Sequence, residues 1–486
     1  MTPTTEAVAT ATPPAHRHRW FALVIVLTAF FLDLVDVTIV NVAVPSIRRD
    51  LHASYSAVQW VTAGYALTFA VGLITGGRLG DIYGRRRIFL IGIAGFTVAS
   101  ALSSLAPGPG SLIAARVLQG AAAALMVPQV LAIIHATFPA EERGKVFGLF
   151  GTVAGLGAIS GPLIGALLTQ GNLFDLQWRP IFLVNLPIGL LGLVLGRRFI
   201  AESRAPRALR PDLVGMVLGG AAVLMLLYPL TQGRELGWPW WGFAAMAGSL
   251  PVGALFVWHQ RARTRRNGSP LVELSLFAVR SFAGGTGVQL TFGIATGIFF
   301  LTSTLYTQIG LGWSPLDAGL AGVPFALAVS VAAGLSVAVL VPRFGRRVIQ
   351  AGALVMAAGA LLYLWQADRH GTDLHFWHLV PPTVVMGLGM GLVVAPLADT
   401  VLSEVPRAHA GSASGLINAT GQVGMALGLG LVSVAFFGVA HEGDHGPVLV
   451  AAFVRSLWWV TAFLLVAWAL MFALPKRAPA AAADDD

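Results

Sequence analysis

From residue 20 to residue 473 the chain repeats one pattern, a run of mainly apolar residues followed by a short polar or turn-rich link. An α-helix needs about 20 such residues to cross the hydrocarbon core of a bilayer. This repetition constrains the fold more tightly than any single motif. The spans are read at 20–44, 57–79, 88–106, 111–134, 146–169, 180–197, 213–231, 241–258, 281–309, 318–341, 348–366, 380–402, 411–439 and 450–473, fourteen in all. Links such as Ala106-Pro107-Gly108-Pro109-Gly110 and Gly237-Trp238-Pro239 separate them. The 57 Gly and 27 Pro do not argue against helices, because both are commoner in membrane helices than in soluble ones. A membrane β-barrel would need alternating strands of about 10 residues, and none is visible.

Composition agrees. Hydrophobic residues make up 56% of the chain and charged residues 11%, against about 25% charged in an ordinary soluble domain. A soluble core cannot absorb that much apolar surface, and a disordered chain needs the opposite balance. With no Cys, disulfides, thiolate metal sites and Cys nucleophiles are excluded. The first apolar run is long for a secretory signal, carries Asp33 and Asp36 and lacks a small-residue exit. Residues 1–19 are therefore expected to be a cytoplasmic arm and 474–486 a cytoplasmic tail.

The net charge of +9 gains meaning from its placement. With the N-terminus inside, the outer links hold only Arg48, Arg49, Arg179, Arg234, Arg369 and Arg455 of the 31 Lys and Arg, and Arg116 alone sits within a span. The rest fall on inner links, as the positive-inside rule requires. Topology and anionic lipid account for the basic balance, and no nucleic-acid partner is needed.

An internal echo follows. Gly84-Arg85-Arg86 after span 2 recurs as Gly345-Arg346-Arg347 after span 10. The chain then divides into a six-helix half at 20–197, two inserted spans at 213–258 and a second six-helix half at 281–473. Repeats of this kind build many secondary transporters, with the binding site between them.

Five signatures carry a resemblance. They are Asp36-Val-Thr38-Ile-Val-Asn41-Val-Ala-Val-Pro45 in span 1, Gly77-x-Leu-Gly-Asp81-x-x-Gly84-Arg85-Arg86 after span 2 and Leu112-Ile-Ala-Ala-Arg116-Val-Leu-Gln119-Gly120 in span 4. Gly157-x-x-x-Gly161-Pro162-x-x-Gly165 follows in span 5, and Trp178-Arg179-Pro-Ile-Phe182-x-x-Asn185-x-Pro187-x-Gly189 at span 6. In that order the chain resembles the major facilitator superfamily, and within it the fourteen-span drug:proton antiporters. The resemblance implies an all-α integral membrane protein, not an enzyme. It implies export of hydrophobic drugs or antibiotics across a bacterial inner membrane by alternating access, driven by the proton gradient with no cofactor. Two departures bear on this. Pro342 stands where the first repeat has Asp81, and spans 10 and 13 lack the acid associated with doubly charged cargo. The cargo is therefore expected to be neutral or monocationic, and the protein a monomer among lipids.

Ionised groups at mid-membrane cost about 2.5–3.5 kcal/mol or more, so embedded charges are functional candidates. Asp33 and Asp36 lie at i and i+3 on one helix face, about 18 and 14 Å below Pro45 at 1.5 Å per residue. Arg116 lies about 8 Å below the outer start of span 4 and can reach them. A carboxylate pair facing one guanidinium is expected to titrate as a coupled unit. Proton and cationic cargo would compete for it. The alternative is a purely structural tie between spans 1 and 4.

The other candidates are weaker. Gly77, Asp81, Gly84, Arg85 and Arg86 are expected to form a cytoplasmic latch, which in the family braces the two halves. Gly157, Gly161 and Gly165, with Pro162, are expected to pack closely in the small-xxx-small manner and seal the interface of the halves against leak. Trp60, Tyr65, Gln289, Tyr306, Met386, Met390, Asn418 and Gln422 are candidates for lining the cavity, with core packing the competing reading. The outer loops hold Asp368, His370, Asp373, His375 and His378, then His441, Glu442, Asp444 and His445. Their spacing matches no compact metal-ligand set. No G-x-x-x-x-G-K-[ST] loop is present, which speaks against ATP-driven pumping by this chain. A nutrient importer or a non-transporting membrane sensor or lipid-handling protein are the alternative functions.

Overall fold

The computed structural model describes residues 18–171, 175–204, 210–267, 270–402, 405, 410–440, 444 and 446–475, and all regular structure among them is helical. In chain order the first six helices are α1 Arg19–Asp50, α2 Tyr55–Tyr83, α3 Arg85–Ser104, α4 Pro109–Thr137, α5 Ala140–Gln170 and α6 Pro180–Phe199. Two more, α7 Leu213–Gln232 and α8 Trp240–Asn267, precede α9 Arg280–Gly310, α10 Pro315–Phe344 and α11 Arg346–His370. The last are α12 Phe376–Leu402, α13 Ala410–Ala435 and α14 Pro447–Leu470. Among the described residues 13 helices are long and apolar enough to cross a bilayer; α5, a helix of 31 residues, occupies the place of the remaining expected span. The arm to residue 17, the tail from residue 476, His441, Glu442 and His445 lie outside the described residues.

Local chemistry sets the helix ends. Ser54 caps α2 by accepting from the Ala57 N–H at 3.2 Å, one of the orphan donors of a helix start. Gly84 at φ 111° separates α2 from α3, and Gly345 at φ 57° separates α10 from α11. Only glycine adopts such angles without strain, so the echo in the sequence marks the same sharp break in both repeats.

The packing repeats with an offset of eight helices. In the first set α1 packs on α5, α2 and α3 on α4, and α3 on α6; in the second α9 packs on α13, α10 and α11 on α12, and α11 on α14. The sets meet where α2 lies on α13 and α5 on α10. α7 packs on both α2 and α13, while α8 packs chiefly on α7. Large apolar side chains such as Trp240, Leu250, Trp258, Val194 and Val331 are exposed. In water that surface would be a liability, whereas a bilayer matches it.

One end of the bundle carries Arg85, Arg86, Arg197, Arg198, Arg343 and Arg346, and is called here the basic face. At the opposite face, contacts that cross between the halves include the following two. Gln308 lies in a π-helical turn, Tyr306–Gly310, and its Nε2 donates to the Val42 carbonyl of α1 at 2.9 Å. Gly319 of α10 backs onto Pro162 and Ala166 of α5, so closely that a Cβ there would lie 3.0 Å from the Ala166 methyl.

At the basic face the inserted pair is gathered by Asp212. Its carboxylate accepts from Gly215 N at 2.9 Å, capping α7, and from Gln260 Nε2 at 2.8 Å. His259 Nε2 lies 2.9 Å away and Arg263 Nε 3.7 Å away. Burial alone would raise this carboxyl, but the hydrogen bonds from His259, Gly215 and Gln260 and the charge of Arg263 outweigh it and hold it below the usual carboxylate range. Arg78, beside Gly77, donates to the carbonyls of Arg210 and Pro270, which joins α2 to the same hub.

Candidate functional site

The embedded charges of the first half converge. Asp36 is wholly buried and Asp33 is 4% exposed. Arg116 of α4, also wholly buried, places Nη1 2.5 Å from Asp36 Oδ2. The other oxygen, Oδ1, accepts from Gln119 Nε2 at 2.8 Å and from Asn185 Nδ2 at 2.9 Å. Asn185 also donates to Ser100 Oγ at 2.9 Å, and Ser100 donates to the Phe182 carbonyl. Arg116 further donates from Nη1 to Gln119 Oε1 at 2.8 Å and from Nε to the Val61 carbonyl at 3.2 Å. One carboxylate on α1 is thereby held by α4 and α6 together, and the guanidinium is braced by α2.

The sequence suggested one guanidinium facing two carboxylates, and the geometry differs. Arg116 bonds Asp36 only. Asp33 accepts instead from Tyr65 Oη at 2.5 Å, and the Arg116 guanidinium lies 4.3 Å from the centroid of that Tyr65 ring. The Tyr65 hydroxyl takes Asp33 instead, and its ring stands beside the guanidinium. Tyr65 carries the link. Among the described residues Arg116 Nη2 has no hydrogen-bond partner, although it is buried.

Three members of this network received no role from the sequence. Gln119 and Asn185 lie inside the span 4 and span 6 signatures, and a buried amide in an apolar span must find polar partners, a signal that was legible. Ser100 carries no such signal.

The loop signature carries a network of its own. Arg85 meets Asp81 at 3.0 Å and reaches the Ala132 carbonyl. Glu202, just past α6, accepts from the backbone N–H groups of Arg86 and Arg87 at 3.0 and 3.2 Å, and Arg86 Nη1 donates to the Ile200 carbonyl. Among the described residues all these partners belong to the first half. A Cβ on Gly77 would meet Pro128 of α4 at 3.6 Å, ordinary contact, whereas a Cβ on Gly84 would collide with Glu202. In the second half Arg346 donates to the carbonyls of Phe472 and Leu474. With Pro342 in place of an acid, the end of the sixth helix supplies its partners.

The glycine stripe faces α1 rather than the other half. A Cβ at Gly157 would meet Leu34, at Gly161 Thr38 and the Val35 carbonyl, and at Gly165 Ile39. Pro162 lies on the far side, against Gly319 of α10. The stripe therefore sets how closely α5 approaches the helix that bears both acids, while Pro162 meets the opposing half.

The candidates for cavity lining separate. Tyr65 belongs to the acid network. Tyr306 is buried inside the second half, its ring stacked on Phe453 at 4.4 Å, and Met386 is buried against Gly359 of α11; both serve that half's core. Met390 packs at the edge of the same core. Trp60 lies 6.1 Å from Tyr228, at the contact with α7. Gln289 lies on α9 where a Cβ on Gly421 of α13 would meet it; Asn418 is exposed and Gln422 half-buried on α13. In the loops, the His370 and His378 rings stack at 4.0 Å. Among the described residues no group of three or more His, Asp or Glu is arranged to hold a metal.

Comparison with known proteins agrees with this architecture. Residues 26–429 match the Major Facilitator Superfamily. The chain is 44% identical to the probable actinorhodin transporter of Streptomyces coelicolor over 88% of this chain and 74% of that protein. It is 38% identical to a puromycin resistance protein of Streptomyces alboniger, over 88% and 84%. It is 33% identical to the multidrug efflux pump LfrA of Mycolicibacterium smegmatis, over 89% and 87%. Among solved structures, an auto-inhibited POT family peptide transporter superposes with a TM-score of 0.70 at 16% identity, covering 94% of this chain and 96% of that one. A D-xylose-proton symporter superposes with a TM-score of 0.65 at 16% identity, covering 94% and 98%; these likenesses concern the fold. From the repeated packing, the ordered signatures and the extent of these matches, the chain belongs to the Major Facilitator Superfamily of membrane transporters.

Proposed function

We propose that this protein is a proton-coupled exporter of hydrophobic drugs or antibiotics, neutral or monocationic, in a bacterial inner membrane, with the basic face and both termini in the cytoplasm. The observation that carries the reading is the buried pair of acids with unequal partners. Asp36 is engaged by Arg116, Gln119 and Asn185; Asp33 has one recorded donor, Tyr65. Asp33 is the acid open to exchange between a proton and cargo, and Tyr65 relays that exchange to Arg116 and so to Asp36. The spare Arg116 Nη2 can take up a second carboxylate when the network rearranges. The relatives, among them a probable actinorhodin transporter, a puromycin resistance protein and a multidrug efflux pump, support the cargo class.

The driving force suffices. One charge moved through 100 mV is worth about 2.3 kcal/mol, and one pH unit adds about 1.4 kcal/mol. Together they sustain a concentration ratio of about several hundred for one-for-one exchange of a neutral drug.

The test is substrate-induced proton movement in inverted vesicles. The parent should release protons when drug is added, and Asp33→Asn should bind drug without releasing them. Proton release by Asp33→Asn equal to that of the parent overturns the assignment of Asp33. Proton release absent from the parent itself overturns coupled export and favours a sensor or lipid-handling role.

A further inference from the structure

Between the basic ends of α3 and α6 lies a pocket of about 470 Å³, lined by Arg86, Arg87, Leu90, Leu193, Val194, Arg197 and Glu202. Nothing in the transport reading uses it. Its two walls are built alike. On α3, Arg87 and Leu90 are at i and i+3; on α6, Leu193 and Val194 are four and three residues before Arg197. Each pair therefore shares a helix face, with the arginine at the end of the bundle and the apolar side chain one turn deeper in the membrane. The pocket is charged at its mouth and greasy above it.

The charges are not balanced within the protein. Glu202 accepts from the N–H groups of Arg86 and Arg87 and lies 3.9 Å from Arg86 Nε, while Arg86 Nη1 is engaged by the Ile200 carbonyl. The side chains of Arg87 and Arg197 are exposed, and among the described residues neither guanidinium has a hydrogen bond or an ion pair. Two free cations over an apolar wall complement one chemistry, an anionic phosphodiester attached to acyl chains. The wall continues outward through Leu190 and Leu191, 57% and 59% exposed, so an acyl chain has a surface to follow.

We propose that this pocket binds an anionic diacyl phospholipid, its phosphate between Arg87 and Arg197 and one acyl chain against Leu90, Leu193 and Val194. Basic pockets between helices at a membrane face are suited to such headgroups. The lipid ties the start of α3 to the end of α6, beside the Gly84-Arg85-Arg86 signature. A zwitterionic phospholipid gains less, because its own cation repels the arginines.

The experiment uses the purified full chain in detergent, with bound lipid counted by native mass spectrometry. Probes are phosphatidylglycerol, phosphatidylcholine with the same acyl chains, and inorganic phosphate as competitor. Each arginine near the membrane surface is worth about fivefold in affinity. Arg87→Gln/Arg197→Gln should therefore bind phosphatidylglycerol about 25-fold more weakly and phosphatidylcholine as the parent does. Arg87→Lys/Arg197→Lys should keep most of the affinity, so the comparison survives if the Gln variant folds poorly. Arg265→Gln/Arg266→Gln, at the end of α8, should leave binding unchanged, and Leu193→Gln/Val194→Gln should weaken it. Equal loss in the α8 control would reduce the effect to general surface charge and overturn the site. Displacement by millimolar phosphate, or no effect of the wall variant, would make the pocket a free-anion site and overturn the lipid assignment. Phosphatidylglycerol binding unchanged in both the Gln and Lys variants also overturns it.

Discussion

Tyr65 donates its hydroxyl to Asp33 at 2.5 Å while its ring lies under the guanidinium that holds Asp36. One aromatic side chain thus touches both halves of the charge network, and the acids communicate through it rather than through a shared salt bridge.

Tyr65→Phe tests that link. The ring, and with it the cation–π contact, is kept; only the hydroxyl is lost. A buried hydrogen bond to a charged group contributes about 1.5–3 kcal/mol to stability, so the thermal midpoint should drop and proton-coupled efflux should fall by about tenfold or more. An efflux rate equal to the parent's would remove Tyr65 from the mechanism.

Removing one member of the Arg116–Asp36 pair leaves a buried charge alone. Arg116→Gln should therefore destabilise by about 3–5 kcal/mol. The double variant Arg116→Gln/Asp36→Asn should regain part of that stability, since neither charge is then stranded, yet remain inactive in export. Denaturation of the purified variants measures the first claim and vesicle efflux the second. Additive losses in the double variant would contradict the pairing.

Gly161→Ala drives a methyl into Thr38 and the Val35 carbonyl. Overpacking of this kind costs about 1–3 kcal/mol, and it displaces α5 from the helix bearing the acids. Lower thermal stability and slower export are expected, with partial recovery when Thr38→Ala is added to give the methyl room. No recovery in the double variant would mean that the contact with Thr38 is not the source of the loss.

Asp212 should confer acid sensitivity on the inserted pair. Its folded carboxyl lies below the ordinary value, so its contribution to stability is full above about pH 4 and is lost as pH falls through the lower, folded value. Asp212→Asn should be less stable than the parent at neutral pH, by about 0.5–2 kcal/mol for the lost α7 cap alone. That deficit should shrink as acid protonates the parent. Parallel stability curves for the two proteins down to the lowest usable pH would count against this assignment.

Much of the molecule was legible before any coordinates. Runs of apolar residues reveal spans because a bilayer imposes a length, and Gly84 and Gly345 reveal the repeat because a sharp break needs glycine in both copies. Asp33, Asp36 and Arg116 were found because a charge in an apolar run is costly. Tyr306 and Met386 went the other way. An aromatic or a Met in a span can face either the other half or its own helices, and hydropathy is the same for both.

The order of residues alone therefore established that the chain lies in a membrane, that it is doubled, and where its costly charges sit, because each follows from length, spacing or desolvation along one helix. Which donor reaches which acid, that Arg85 turns back onto Asp81, and that the glycine stripe serves α1 emerged only from three dimensions. Those outcomes depend on how helices far apart in sequence are rotated and set in height against each other, and periodicity within a single helix carries no information about its neighbour.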